Sequence, residues 1–271
     1  MNAIDLANQI KKKQSFLCIG LDSEMEKLPK SCKNSQYPQF EFNKQIIDAT
    51  APYTIAIKPN IAFYEAEGRK GWESLALTAE YCKKNYPDIF LIADAKRGDI
   101  GNTSKMYAKT FLSDMPFDAI TLSPYMGSDS IKPFMEYPDK WVILLALTSN
   151  TGAMDFQFIE SSGRPLYMNV IETSKQWGNE NNTMYVVGAT KTQYLEQIRC
   201  SIPNHFLLVP GVGAQGGSLE EVYRYGKNKN CGLIVNASRS ILFANSSENF
   251  AEAALQQTIA LQKEMEVLLN S

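Results

Sequence analysis

The chain has 271 residues and an almost balanced charge, with 27 Lys and Arg against 29 Asp and Glu. Hydrophobic residues make up 44% of it, enough for a large core, and α/β barrels of this length are common as single domains. The balanced charge disfavours nucleic acid and membrane surfaces as partners, and no apolar run approaches the roughly 20 residues of a membrane span. The N-terminal residues contain no apolar signal core. We therefore expect a soluble, cytoplasmic protein with one domain over residues 1–271.

Short apolar and β-branched runs recur along the whole chain and predict eight strands. They cover residues 16–22, 53–59, 89–96, 119–124, 141–148, 183–190, 206–213 and 233–239. Helix-like stretches occupy residues 43–50, 71–85, 103–113, 165–177, 192–199 and 219–225, and a closing helix is predicted for residues 248–269. Strands that alternate with helices indicate parallel pairing, and eight such units fit a (β/α)8 TIM barrel, of α/β class, better than a doubly wound open sheet.

The cysteine and histidine content argues against several kinds of site. The five cysteines are an odd number and widely spaced, which favours neither a disulfide framework nor a zinc cluster. The one histidine, His205, precedes an apolar run, and we expect it to be a surface or loop residue without a catalytic role. A Ser-His-Asp triad or a multi-histidine metal site cannot be built on it.

Polar residues at the ends of the predicted strands are the candidates for chemistry, because active sites of this barrel gather at the C-terminal ends of its strands. Asp94 and Lys96 are two residues apart, so strand alternation predicts that both face the barrel interior. A carboxylate and an ammonium group buried there must be paired or used. The other candidates at strand ends are Asp22, Lys58, Ser149, the glycine-rich loop after the seventh strand, and Arg239.

Residues 211–217 contain a literal G-x-G-x-x-G between a predicted strand and a predicted helix. The dinucleotide fingerprint belongs to the first βαβ unit of its fold and needs an acidic residue about 20 positions later, and position 236 is Asn. The loops after strands 7 and 8 are the recurrent phosphate site of this barrel, so we expect backbone N–H groups and Arg239 to bind a phosphate. A plain structural turn and a dinucleotide site remain as alternatives.

Residues 94–103 read Asp-Ala-Lys-Arg-Gly-Asp-Ile-Gly-Asn-Thr, and on its own the D-x-K-x-x-D spacing fits a structural salt bridge equally well. Together with other strand ends, however, it resembles the orotidine 5′-phosphate decarboxylase family. The segments that carry the resemblance, in chain order, are residues 20–22 (Gly-Leu-Asp), 57–60 (Ile-Lys-Pro-Asn), 147–150 (Leu-Thr-Ser-Asn), 210–217 and 237–239 (Ala-Ser-Arg). The resemblance covers about residues 15–243, and residues 148–152 and the long insert at residues 22–43 resemble the longer bacterial branch of the family.

The resemblance implies a charged catalytic network. Lys96 would protonate C6 of the pyrimidine as carbon dioxide leaves. Lys58, Asp94 and Asp99 would complete the network, with Asp99 supplied by the other subunit of a homodimer.

The resemblance also implies a set of substrate-binding residues. Ile100 and Thr103 would cross the dimer interface together with Asp99, and residues 149–164 would form a lid. The remaining positions would contact the nucleotide itself: Asp22 and Lys58 at the ribose, Ser149 at the pyrimidine edge, and Val212, Gln215 and Arg239 toward the phosphate.

Elementary chemistry supports such a site without the family. Loss of carbon dioxide from C6 leaves a carbanion in the ring plane, outside conjugation, and the sequence has no signature of a metal or organic cofactor to help. Preorganised charge is then the remaining means of stabilising the carbanion, so we expect no cofactor and no metal.

Two alternative functions stay open. One is a metal-dependent sugar-phosphate decarboxylase related to the 3-keto-gulonate 6-phosphate enzymes, which usually carry an acid where Lys58 stands. The other is a phosphate-binding barrel without catalysis.

Overall fold

The computed structural model describes residues 1–212 and 216–271, which form a closed barrel of eight parallel strands. Each strand pairs with the next along the chain, and the eighth pairs with the first. The (β/α)8 barrel expected from the sequence is therefore confirmed. In chain order the strands are Leu17–Leu21, Ala56–Pro59, Phe90–Arg97, Ala119–Leu122, Trp141–Leu147, Thr183–Val187, Leu207–Pro210 and Leu233–Ala237.

Helices surround the barrel and connect its strands. The α-helices are Ala3–Lys13, Lys30–Lys33, Pro38–Thr50, Ile61–Glu65, Gly68–Asn85, Gly101–Lys109, Ser128–Met135, Ala153–Phe156, Leu166–Ser174, Thr192–Ser201, Leu219–Gly226, Arg239–Leu242 and Phe250–Leu269. Single turns of 3₁₀ helix occur at Met25–Lys27, Ala51–Tyr53, Pro124–Met126 and Ala189–Lys191, and a π-helical turn occurs at Thr110–Asp114. A two-stranded antiparallel hairpin pairs Glu160–Ser161 with Arg164–Pro165, inside the stretch expected to form a lid.

Six of these helices are absent from the sequence-based expectation, and the two longest of them are Ala3–Lys13 and Ser128–Met135. The helix Ala3–Lys13 starts at a capping box in which the side chains of Asn2 and Asp5 each accept a hydrogen bond from the other's backbone N–H. This motif is visible in the sequence and could have predicted the helix. The helix Ser128–Met135 contains Pro133 and follows Gly127, so its sequence looks like a loop.

Several predicted strands extend too far at their C-terminal ends. The fourth, sixth and eighth strands end at Leu122, Val187 and Ala237, and each is followed by a helical turn instead of further strand. The residues after these strands therefore lie in βα turns at the rim of the barrel. This is the rim on which active sites of the fold are built.

A bulge interrupts the third strand next to the residues expected to be catalytic. Its pairing with the fourth strand runs Ile92 to Ala119 and Ala93 to Ile120, and then resumes with Arg97 opposite Leu122. Residues 94–96 thus lie opposite a single residue of the fourth strand. Lys96 has a left-handed backbone with φ of 48°, which is uncommon for a residue with a side chain. Asp94 and Lys96 do converge, but through this bulge and not through the regular alternation assumed from the sequence.

His205 is in the expected loop before the seventh strand, but it is buried, with 8% of its surface exposed. The expectation of a surface residue is therefore wrong in this respect. Its ring lies 5.6 Å from the Tyr185 ring, and neither ring nitrogen has a hydrogen-bond partner among the described residues. Burial lowers the pKa of His205, and the nearby Glu180 carboxylate offsets this only in part.

His205 should therefore make the stability of the fold depend on pH. Its folded pKa lies below the unfolded value near 6.5, so the unfolded chain binds the proton more tightly. The stabilisation is complete above about pH 6.5 and decreases as the pH falls through this value toward the folded pKa. In His205→Phe, the urea midpoint should change less between pH 7.5 and 5.5 than in the parent protein. Equal changes of the urea midpoint in the two proteins would mean that His205 contributes nothing to the pH dependence of stability.

Candidate active site

Three charged side chains meet at the C-terminal rim of the second and third strands. Lys58 Nζ lies 2.7 Å from Asp94 Oδ2, and Lys96 Nζ lies 2.6 Å from Asp94 Oδ1. Asp94 thus bridges two ammonium groups, one on each carboxylate oxygen. The side chains of Lys58 and Asp94 are only 5% and 11% exposed, whereas that of Lys96 is 48% exposed. The expectation that Lys96 is buried is therefore wrong, because the buried lysine of the cluster is Lys58.

The two buried members of this cluster keep each other charged. Burial alone would raise the pKa of Asp94, but the Lys58 and Lys96 cations outweigh it and hold this pKa well below its usual range. Burial would likewise lower the pKa of Lys58, but the Asp94 and Asp22 carboxylates outweigh it and raise this pKa. The cluster therefore presents a fixed carboxylate and a fixed ammonium group at neutral pH.

A cavity of about 150 Å³ opens beside this cluster at the mouth of the barrel. Asp22 Oδ1 and Ser238 Oγ lie at its wall, buried and without a hydrogen-bond partner among the described residues. Buried polar atoms are rarely left unpaired, so these two are suited to contact a polar ligand. The lining residues are Asp22, Lys58, Asn60, Asp94, Pro210, Gly211, Val212, Asn236, Ala237, Ser238, Arg239 and Ser240.

The cavity brings together the candidates from the first, second, third, seventh and eighth strand ends. Arg239 is exposed at the start of the short helix Arg239–Leu242, and Val212 is buried, with 8% of its surface exposed. Gln215 lies outside the described residues. Ser149 does not line this cavity: it lies at the end of the fifth strand, where its backbone carbonyl accepts a hydrogen bond from Thr190 Oγ1 at 3.2 Å.

Asp99, Ile100 and Thr103 are not brought to the cavity by their own chain. Asp99 Oδ1 accepts a hydrogen bond from the Ile100 backbone N–H at 2.8 Å, and no ion pair between described residues includes Asp99. Ile100 is 51% exposed and Thr103 is also exposed, at the start of the helix Gly101–Lys109. Asp99 itself is partly exposed.

Arg97 fixes the strand end on the side away from the cavity. Its guanidinium forms an ion pair with Glu65, and its Nη1 donates to the Ala95 carbonyl at 3.1 Å. It also lies 5.4 Å from the Tyr107 ring, on the helix that follows the third strand. Arg97 thereby links the segments that follow the second and third strands. These two strands carry Lys58 and Lys96.

Sequence analysis missed several residues of the site. Asn60 and Ser238 both line the cavity. They lie in the segments 57–60 and 237–239 that carry the family resemblance, but no role was predicted for them. Thr121 donates a hydrogen bond to Asp94 Oδ1 at 3.0 Å and was hidden inside an apolar run. The segments around Asn60 and Ser238 could have indicated the first two, but nothing in the sequence singled out Thr121.

Comparison with known proteins places the chain in a family. The sequence model of the orotidine 5′-phosphate decarboxylase / HUMPS family matches residues 15–254. A protein from Christiangramia forsetii named orotidine 5′-phosphate decarboxylase is 58% identical over 98% of this chain and 97% of its own length. The chain belongs to this family.

Other members of the family extend the likeness. A Phocaeicola vulgatus protein with the name orotidine 5′-phosphate decarboxylase is 56% identical over 99% of both chains. The solved Leishmania donovani OMP decarboxylase has 35% identity and a TM-score of 0.80, and the alignment covers 97% of this chain and 99% of that one. The resemblance noted from the strand-end segments is thus confirmed, and the protein is an enzyme of the decarboxylase class.

The described residues contain neither a cluster of metal ligands nor a membrane-spanning helix. Across residues 1–212 and 216–271, no group of three or more His, Cys, Asp or Glu side chains is arranged to hold a metal ion. In the same ranges, no helix has the length and apolar character needed to cross a membrane.

Proposed function

We propose that this enzyme of the orotidine 5′-phosphate decarboxylase family converts orotidine 5′-phosphate to uridine 5′-phosphate in pyrimidine biosynthesis, without a metal or organic cofactor. The observation that carries this proposal is the Lys58–Asp94–Lys96 cluster beside a cavity that Arg239 also lines. A lysine at position 58 favours this reaction over that of the metal-dependent sugar-phosphate decarboxylases.

Lys96 is the proton donor in this proposal. As the bond between C6 and the carboxylate breaks, its electron pair stays on C6, and carbon dioxide leaves as a neutral molecule. The Lys96 ammonium group stabilises the developing carbanion and then transfers a proton to C6. Lys96 is the most exposed member of the cluster, so its amine can reach a substrate above the rim.

Asp94 acts on the substrate carboxylate by repulsion, which disappears when neutral carbon dioxide forms. Two unit charges ~4 Å apart at an effective dielectric constant of 20 interact by about 4 kcal/mol. Enzymes typically lower barriers by roughly 8–23 kcal/mol, so this repulsion is too small to act alone. Binding energy from the rest of the nucleotide must hold the charged groups together and close the lid of residues 149–164.

The remaining residues bind the nucleotide. Asp22 and Lys58 hold ribose hydroxyl groups, a role supported by the unpaired Asp22 Oδ1 at the cavity wall. Ser149 contacts the pyrimidine edge at the end of the fifth strand. Arg239, Val212 and Gln215 contact the phosphate, and the cavity lining includes the first two.

A homodimer completes each site in this proposal, with Asp99, Ile100 and Thr103 entering the cavity of the partner subunit. The support is that two apolar side chains of this segment, Ile100 and Met106, are each 51% exposed at or near the start of the helix Gly101–Lys109. Asp99 itself is not paired with Lys96 of its own chain.

We also propose a cytoplasmic location, because all five cysteines are free thiols, as in reducing compartments.

The decisive experiment mixes the purified protein with orotidine 5′-phosphate, with and without EDTA, and follows the absorbance of the pyrimidine. We expect turnover at the same rate in both samples. Turnover abolished by EDTA would point to a metal-dependent enzyme. Binding of the nucleotide without turnover would leave a phosphate-binding barrel that does not catalyse.

Arg239 provides a test of the remote phosphate contact. Because it is expected to touch only phosphate, Arg239→Ala should lower kcat/KM for orotidine 5′-phosphate by roughly tenfold to a hundredfold, as for loss of a charge-assisted contact. It should barely change kcat/KM for orotidine, which has no phosphate. Arg69→Ala, at an exposed arginine on the helix Gly68–Asn85, is the control and should change neither value. Equal losses on both substrates would contradict the role.

A further inference from the structure

Thr121 is the polar residue in the middle of the fourth strand, and it is 1% exposed. Its hydroxyl makes two hydrogen bonds to the charged cluster. It donates to Asp94 Oδ1 at 3.0 Å and accepts from the backbone N–H of Lys96 at 2.9 Å. One buried hydroxyl therefore contacts both the central carboxylate and the main chain of Lys96.

The bulge in the third strand explains why a hydroxyl is needed here. Residues 94–96 lie opposite Thr121 alone, so the N–H of Lys96 points at a side chain where a regular ladder would offer a carbonyl. Lys96 also has a left-handed backbone, which a residue with a side chain adopts only when its surroundings hold it there. The hydroxyl of Thr121 is the acceptor that holds this N–H in place.

The same hydroxyl fixes the rotation of the Asp94 carboxylate. Asp94 Oδ2 faces Lys58, while Oδ1 accepts from both Lys96 Nζ and Thr121. With a third donor in place, the carboxylate cannot rotate without losing a hydrogen bond in a buried position. Its direction toward the cavity is therefore set by a residue that does not line the cavity itself.

We propose that Thr121 is a positioning residue for the decarboxylation, holding Lys96 in its left-handed conformation and Asp94 in its orientation. This inference rests on the proposed function. Thr121 acts through these two residues and contributes no bond to the substrate. Its loss should therefore lower kcat and leave nucleotide binding almost unchanged.

The test compares Thr121→Val, which has the same shape without the hydroxyl, with Thr121→Ser, which retains it. In Thr121→Val, kcat should fall roughly tenfold to a hundredfold, the factor expected for losing one hydrogen bond to a charged group. KM should stay within about threefold, and Thr121→Ser should recover most of the lost kcat. The Lys96 amide should exchange its hydrogen faster in Thr121→Val, while the Ile120 and Leu122 amides keep their protection.

Thr258→Val is the matched control, because Thr258 is a fully buried threonine whose hydroxyl donates a hydrogen bond to the Ala254 carbonyl, away from the charged cluster. It should affect the thermal midpoint without changing kcat. Should Thr121→Val not fold, Thr121→Ala replaces it in the comparison with Thr121→Ser. A kcat within threefold of the parent protein, or the same loss in the valine and serine variants, would overturn the inference. A parent protein that does not decarboxylate would instead refute the proposed function.

Discussion

Lys96→Ala should reduce turnover of orotidine 5′-phosphate by roughly 10²- to 10⁴-fold or more, the range that general acid catalysis contributes. The variant removes both the proton and the cation at the place where negative charge develops. Nucleotide binding should remain measurable, because Lys58, Asp22 and Arg239 are still present. Steady-state absorbance assays and titration with uridine 5′-phosphate provide the two measurements.

The matched control for this variant is Lys263→Ala, at an exposed lysine on the C-terminal helix Phe250–Leu269. It should leave both turnover and binding unchanged. Decarboxylation by Lys96→Ala within tenfold of the parent protein would mean that another group delivers the proton.

Mixing two inactive variants should restore activity, which is the second large effect that we expect. If each site combines Lys96 of one chain with Asp99 of the other, Lys96→Ala and Asp99→Asn homodimers are both nearly inactive. In a heterodimer of the two, one site collects both changes and the other collects neither. Random reassortment makes about half of the dimers mixed, so roughly a quarter of all sites should recover.

The experiment unfolds and refolds the two variants together and assays the mixture. Each variant refolded alone is the control and should stay inactive, and native mass spectrometry should verify the heterodimers. Heterodimers without recovered activity would put Asp99 in the site of its own chain. A chain that stays monomeric at assay concentrations, yet is fully active, would remove the need for a shared site altogether.

The barrel and its main charged residues could be predicted from the sequence because parallel strands buried on both faces leave a simple pattern. Each apolar run ends where the chain leaves the core, and the polar residue that follows is placed on one rim by the topology alone. Asp22, Lys58, Asp94 and Arg239 were found in this way, and they do line one cavity.

What the sequence did not predict depends on contacts between distant segments. The exposure of Lys96 follows from the bulge, and the bulge depends on the register between the third and fourth strands. The burial of His205 depends on packing against Tyr185 of the sixth strand. The importance of Thr121 appears only once Asp94 is placed beside it, since a threonine within a strand is ordinarily unremarkable in a sequence.

The unequal exposure of the two lysines has a consequence for how the protein binds its ligand. Lys58 and Asp94 lose most of their hydration when the chain folds, so within this cluster an arriving nucleotide has to displace bound water mainly from Lys96. Buried ion pairs of this kind often stabilise a fold less than apolar residues of the same volume, and removing one partner typically costs about 3–5 kcal/mol. The free-energy cost of dehydrating Lys58 and Asp94 therefore lowers the stability of the fold and does not lower the affinity for the nucleotide. Variants of Lys58 or Asp94 would accordingly alter thermal stability as well as turnover.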